Sequence, residues 1–212
     1  MHSRIALGWT IFLVYLLAVT SCGGKKETNP KENPLVRQLD ETPDSAIFVM
    51  LEDVEHDSII VTNLETGELE AYAYRSAKRH GKIKGSLTKG DRLSIFPDLK
   101  QKSIKLAINA TELSGQWFYD MQQHRGLQFE ERGGLSSINT STIAFREWKL
   151  LNGKLYIYYV DMQQVAEDRH EFSVEEAQIK YLSKDELKMH FRGKDYDCKR
   201  QVEVIMFSTI KK

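Results

Sequence analysis

The chain has 212 residues, and its 30 Lys and Arg residues balance its 30 Asp and Glu residues, so that the formal net charge is zero. A balanced charge argues against a nucleic-acid-binding protein, which is expected to be clearly basic. The length suits one ordinary domain or two small ones.

The first 21 residues predict a secretory signal peptide. Arg4 precedes an apolar run over 5–19, which is shorter than the about 20 residues that a membrane-spanning helix needs. The Val-Thr-Ser-Cys sequence that ends at Cys22 resembles the bacterial lipobox, in which the cysteine is acylated and becomes the mature N-terminus. This resemblance implies lipidation at Cys22 and an outer-membrane lipid anchor in the cell envelope. The alternative is an ordinary cleaved signal, or a short anchor helix, with an incidental cysteine.

Residues 22–44 predict a lipidated, disordered tether. The segment is rich in Pro, Gly and charged residues, and such a composition buries too little apolar surface to offset the conformational entropy of the chain.

Short runs of β-branched and aromatic residues in 45–111 predict five β-strands, separated by turn sequences such as Glu-Thr-Gly and Lys-Gly-Asp. The predicted strands are 46–51, 58–63, 68–74, 91–96 and 103–110. Five short strands in this spacing indicate a small OB-like or SH3-like barrel.

The Asn152-Gly153 pair predicts a two-residue hairpin turn, because both residues tolerate positive φ angles. Alternation from this turn gives one inward face, which comprises Ala144, Arg146, Trp148, Leu150, Leu155, Ile157 and Tyr159. An inward Arg146 would need a carboxylate or a ligand anion, because an unpaired buried charge is costly. We therefore predict ligand contacts by Arg146, Trp148 and Tyr159 near one mouth of a barrel.

Two blocks of the second half resemble the lipocalin-like lipoproteins of Bacteroidetes. Gly115-Gln-Trp117 looks like the Gly-x-Trp opening strand of lipocalins, and the Ser-Ile-Asn…Trp-Lys-Leu block over 136–150 is similar to a block of those lipoproteins. The resemblance implies a compact antiparallel barrel over 112–212. It also implies that Arg200, from the last strand, stacks on Trp117 and closes the barrel base next to Gly115.

The predicted fold class is therefore all-β. A signal peptide (1–21) and a lipidated tether (22–44) precede a small barrel (45–111) and a lipocalin-like barrel (112–212).

Catalytic and metal-binding motifs are not found in the sequence. The six histidines show no paired metal-ligand spacing. Cys198 falls on the inward face of a predicted strand, where a thiol is inert. The sequence thus predicts no enzyme, no metal and no cofactor.

Two functions compete. The first is an envelope lipoprotein whose barrel binds a small apolar or amphipathic ligand. The second is a non-enzymatic scaffold or a partner- or glycan-binding module with a filled barrel. The acid-free basic segment over 78–89 is either a solvated loop or a contact for anionic glycans or phosphates. A connected cavity of about 300 Å³ or more would favour ligand binding.

Overall fold

The computed structural model describes residues 43–140, 142–162 and 172–201, together with Leu39. The described residues belong to one compact unit. Cys22, the predicted signal peptide and most of the predicted tether lie outside these ranges. Within the ranges, no helix is both long enough and apolar enough to cross a membrane.

The first half of the described chain forms a closed five-strand barrel with one short added strand. Its elements are β1 (Ile47–Val54), β2 (Ser58–Asn63), β3 (Leu69–Ala73), α1 (Arg75–Arg79), β4 (Ile83–Lys84), β5 (Arg92–Asp98) and β6 (Ser103–Asn109). Antiparallel pairing runs in the order β3-β2-β1-β5-β6. A parallel bridge between Ala73 and Ser103 then joins β3 to β6 and closes the ring. This parallel closure is typical of an OB-like barrel, and the predicted small barrel is confirmed.

Alternation along these strands fills the first barrel with aliphatic side chains. On β2, Ile59 and Val61 are buried, whereas Ile60 between them is half-buried. Leu51 of β1 lies opposite Val61 and is fully buried as well. The result is a core of small cross-section, in which Tyr72 is the largest fully buried side chain.

The second half forms an eight-strand antiparallel meander that is nearly closed. Its elements are α2 (Ala110–Leu113), β7 (Gly115–Asp120), β8 (Arg125–Phe129), β9 (Leu135–Ile138), β10 (Ile143–Leu151), β11 (Lys154–Asp161), β12 (Ser173–Leu182), β13 (Glu186–Phe191) and β14 (Lys194–Lys199). The last strand, β14, returns to β7 through the Lys199–Phe118 pair. Between β9 and β10 a single bridge joins Gly134 to Glu147, and this seam keeps the barrel from full closure.

Aromatic side chains fill the middle of the second barrel. Trp117 and Phe129 are fully buried, and the rings of Phe145, Tyr159 and Phe191 pack together with centroids 5.6 to 6.5 Å apart. An eight-strand barrel is only just wide enough for its own side chains. Large rings therefore occupy the space that a wider barrel would leave for a ligand.

The hairpin register is confirmed close to the turn and wrong beyond it. Leu150 lies opposite Leu155 and Trp148 opposite Ile157, as the Asn-Gly turn predicts. A β-bulge between Phe145 and Glu147 then inserts one extra residue, so that Phe145 and not Arg146 lies opposite Tyr159. One inserted residue moves every following side chain to the other face. Arg146 is consequently exposed on the outside of the barrel, and the inward orientation predicted for it is wrong.

The turn residue Asn152 also holds the end of the predicted tether. Its Nδ2 donates to the Pro43 carbonyl at 3.1 Å, and its Oδ1 accepts from the Ser45 amide at 2.7 Å. Its own amide donates to Asp44 Oδ1 at 2.9 Å. Residues 43–45 are thus fixed on the second barrel, although they precede the first strand of the first.

Candidate functional site

Trp117 and Arg200 form a stacked pair at one end of the second barrel. The guanidinium carbon of Arg200 lies 4.2 Å from the centroid of the Trp117 ring. The indole Nε1 donates to the Leu113 carbonyl at 2.8 Å. Arg200 in turn donates to the carbonyls of Lys184 and Ser114, both at 2.7 Å. The contact implied by the resemblance is therefore present, and its importance for closing the barrel base stays a prediction.

Gly115 gives Arg200 room to reach this position. Its φ angle is +114°, and a Cβ placed there would lie 2.3 Å from Arg200 Nη1. A residue with a side chain would therefore meet both backbone strain and a steric clash with the guanidinium. The backbone angle and the close approach of Arg200 thus explain why glycine occupies the first position of the Gly-x-Trp sequence.

The structure does not bring Arg146, Trp148 and Tyr159 together as one site. Trp148 packs edge-to-face on Phe129, and its Nε1 donates to the Glu130 carbonyl at 2.9 Å. Tyr159 is buried, whereas Arg146 points outward from its bulge. Ligand contacts by Trp148 and Tyr159 stay a prediction, but a joint site with Arg146 is not formed.

A polar cluster caps the aromatic core at the opposite end of the barrel from Trp117. The Tyr159 hydroxyl donates to Glu175, and burial followed by this hydrogen bond raises the pKa of Tyr159 to about 12. The Arg192 guanidinium lies 4.8 Å from the Tyr159 ring centroid, and it donates to Asp161 Oδ2 at 2.9 Å. Sequence reasoning did not identify Arg192; the Arg-Gly turn after Phe191 was the available indication.

Beside this cap the barrel has a mouth pocket of about 320 Å³. It is formed by strands β7, β8, β10 and β14 and by Asn139, Thr140 and Thr142 next to the open seam. The side chains that line it include Tyr119, Arg125, Ile143, Phe145, Lys194 and Tyr196. Phe145 also belongs to the buried core, so the pocket floor is the top of the aromatic packing.

The mouth pocket combines positive charge with aromatic surface. Lys194 Nζ lies 5.8 Å from the Tyr119 ring centroid and 5.2 Å from that of Tyr196, and the two rings meet edge-to-face at 5.5 Å. Burial raises the pKa of Tyr196, so its hydroxyl stays neutral at physiological pH. Arg125 adds a second cation, and no acidic residue is among the described residues that line the pocket.

The remaining reactive groups in the described part of the chain are a free thiol and the potential metal ligands. Burial raises the pKa of the free thiol of Cys198 to about 12, which leaves it protonated and unreactive. Among the residues that the structure describes, no group of three or more His, Cys, Asp or Glu side chains could hold a metal ion.

A larger concavity of about 520 Å³ lies between the outer face of the β10–β11 hairpin and the first barrel. Phe48 and Arg92 line it from the first barrel, and Tyr156 and Tyr158 from the second. Trp148, which packs inward on Phe129, also contributes to the lining of this concavity.

Comparisons with known proteins confirm the lipocalin-like resemblance for the second half. Residues 109–201 match a family model described as Lipocalin-like. The chain is also similar to a crystal structure of a lipocalin-like protein from Bacteroides thetaiotaomicron VPI-5482, with 24% identity and a TM-score of 0.37; the match covers 42% of this chain and 97% of that one. No curated protein matches the chain. Residues 109–201 are therefore similar to the Lipocalin-like family.

Proposed function

We propose that this protein is a lipid-anchored lipoprotein of the cell envelope whose lipocalin-like barrel binds a small amphipathic anion at its mouth. The observation that carries the ligand class is the mouth pocket, where Arg125 and Lys194 lie beside the rings of Tyr119, Phe145 and Tyr196. The proposal assigns no reaction to the protein.

The packed interior limits where a ligand can lie. Because the rings of Phe145, Tyr159 and Phe191 fill the barrel beneath the mouth, a ligand tail cannot descend towards Trp117 without displacing core side chains. The tail would instead lie against Ile143 and Phe145, with its anionic head near Arg125 and Lys194. Such a pocket suits a short apolar chain with one carboxylate.

The filled core also favours a second candidate function. A barrel whose interior is occupied by its own side chains can serve as a rigid module that binds a partner or an envelope glycan on its outer surface. Two concavities outside the barrels are consistent with this alternative. One lies beside the β10–β11 hairpin, and the other lies between β4 and β12.

Calorimetric titration with decanoate, with 1-decanol in dilute solution as the uncharged comparison, tests the ligand proposal. We expect saturable decanoate binding that weakens about tenfold in Arg125→Gln and in Lys194→Gln, because each change removes one cation. Lys199→Gln, on the same strand as Lys194 but at its other end, is the control and should change affinity less than twofold. Absence of saturable decanoate binding would favour the scaffold.

The membrane anchor is tested separately at Cys22. Cells that express the full chain should incorporate a fatty-acid analogue into it, and the protein should partition with the membrane fraction. Cys22→Ala should lose the label without change in the thermal unfolding of the barrels. A label that persists in Cys22→Ala would contradict the anchor.

A further inference from the structure

A second concave site lies where the two barrels meet, on strand β4. It is a cleft of about 320 Å³ between β4 and β6 of the first barrel and β11 and β12 of the second. Its lining includes Lys82, Lys84, Leu106, Ile108, Lys154 and Glu176. Part of the acid-free basic segment over 78–89 therefore lies in a cleft and not in an exposed loop.

Positive charge exceeds negative charge in this cleft. Three lysines line it, and Glu176 is the one acidic residue among its described lining. Glu176 Oε2 pairs with Lys154 Nζ at 2.6 Å, so this acid neutralises only Lys154. No ion pair is formed by Lys82 or Lys84 with any residue in the described ranges. Within these ranges, the positive charges of Lys82 and Lys84 thus have no anionic partner.

The backbone holds both lysines in place. The Lys82 amide donates to the Ala77 carbonyl at 2.8 Å, and its carbonyl accepts from the Ala107 amide at 3.0 Å. Lys84 lies in β4 opposite Ile108 of β6. Because the backbone is already held, binding of an anion would cost only side-chain freedom at these two lysines.

The Lys84 ammonium lies at the contact between the barrels. It donates to the Lys180 carbonyl of β12 at 3.1 Å and keeps two further N–H groups for a ligand. Burial, with a smaller contribution from the charge of Lys82, lowers the pKa of Lys84. A bound anion would raise this pKa again, because its opposite charge stabilises the protonated ammonium.

We propose that this cleft binds the phosphate group of a phosphomonoester, through Lys82 and Lys84. A phosphomonoester carries close to two negative charges at neutral pH, which matches the two unpaired ammonium groups. Lysine binds phosphate as a point charge. The half-buried Leu106 and the buried Ile108 on the cleft floor offer apolar surface to the carbon atoms attached to the phosphate. This site is separate from the mouth pocket and does not depend on the proposed function.

Titration of the full chain with n-butyl phosphate and with inorganic phosphate tests the site. We expect butyl phosphate to bind more tightly, by roughly fourfold for each methylene buried on the floor. Lys82→Gln and Lys84→Gln should each weaken binding about tenfold. Lys89→Gln removes the same charge from the same basic segment outside the cleft and should change affinity less than twofold.

Vesicles distinguish the source of the phosphate. Binding of butyl phosphate in solution supports a free phosphomonoester, whereas Lys82-dependent binding only to vesicles with phosphatidic acid in phosphatidylcholine supports a lipid headgroup. If neither probe binds at 10 mM, or if Lys89→Gln weakens binding as much as Lys82→Gln, the proposal is wrong.

Because Lys84 also bonds to the Lys180 carbonyl, its variant is checked by thermal unfolding. The Lys82 side chain forms no hydrogen bond or ion pair with the described residues, so a loss of binding in Lys82→Gln reports on the site and not on folding.

Discussion

The two barrels differ in how their sheets close and in the kind of side chain that fills them. The first has five strands, closes through a parallel pair of β3 and β6, and is filled mainly by aliphatic side chains. The second has eight strands, keeps a seam between β9 and β10, and is filled by aromatic rings. Barrel diameter grows with the number of strands. The wider barrel thus needs larger side chains, and its pocket is confined to the mouth.

This comparison explains why the eight-strand barrel has a packed interior. Aromatic rings occupy the middle of this barrel, so recognition is expected at the rim, where Arg125 and Lys194 lie, and in the concavities outside the barrels.

Truncation of Trp117 is expected to cause the largest loss of stability. Trp117→Ala removes a fully buried ring from the wide barrel, and we expect the free energy of unfolding to fall by about 3–5 kcal/mol. In the narrow barrel, Ile95→Val should cost only about 1 kcal/mol, because it removes one methyl group. Urea unfolding measures both. A Trp117→Ala loss below that of Ile95→Val would show that aromatic filling does not stabilise the second barrel.

Removal of Arg200 has a smaller expected effect. Arg200→Ala loses the stacking on Trp117 and the hydrogen bonds to the Lys184 and Ser114 carbonyls, at about 2 kcal/mol. In a double-mutant cycle, Arg200 and Trp117 should couple by about 0.5 kcal/mol or more. Additive losses would mean that the stacked pair contributes no joint stability.

The turn at Asn152 tests how the end of the tether joins the wide barrel. Asn152→Ala must place alanine at a φ of +51° and loses the contacts to Pro43, Asp44 and Ser45, so we expect a loss of about 1–2 kcal/mol. Asn152→Gly tolerates the backbone angle and loses only the side-chain bonds. If both variants were equal in stability to the unchanged protein, residues 43–45 would not contribute to the fold.

The smallest expected effect is a loss of folding stability at alkaline pH. It should be similar in the two barrels. Burial and a hydrogen bond to a carboxylate raise the pKa of Tyr72 in the first barrel and of Tyr159 in the second from 10.0 to about 12. A raised pKa favours the protonated folded form, so this contribution is complete below pH 10 and is lost as the pH rises towards 12. Tyr72→Phe and Tyr159→Phe should each flatten that decline in unfolding measurements. An unchanged slope would contradict the raised pKa values.

Local sequence signals predicted most of the fold. β-Branched runs located the five strands of the first barrel within three residues, and the Asn152-Gly153 turn fixed the pairing of Trp148 with Ile157. These features depend on residues close together in the chain, where alternation and turn chemistry act directly.

Alternation from the turn predicted the wrong face for Arg146. It assumes an unbroken ladder, and the bulge beside Phe145 breaks it without a distinctive residue that marks the break. The mouth pocket was also missed, because Arg125, Ile143 and Lys194 come from three strands that only the closed barrel brings together.

Methyl NMR during a decanoate titration tests most directly the claim that the wide barrel is filled and binds its ligand only at the mouth. With the Leu and Ile methyl groups labelled, we predict shift changes at Leu127 and Ile143, which line the mouth, and none at Leu155 and Leu187, which lie in the core. Saturable shift changes at Leu155 and Leu187 of a size equal to those at the mouth would contradict this account, because they would place the ligand inside the barrel.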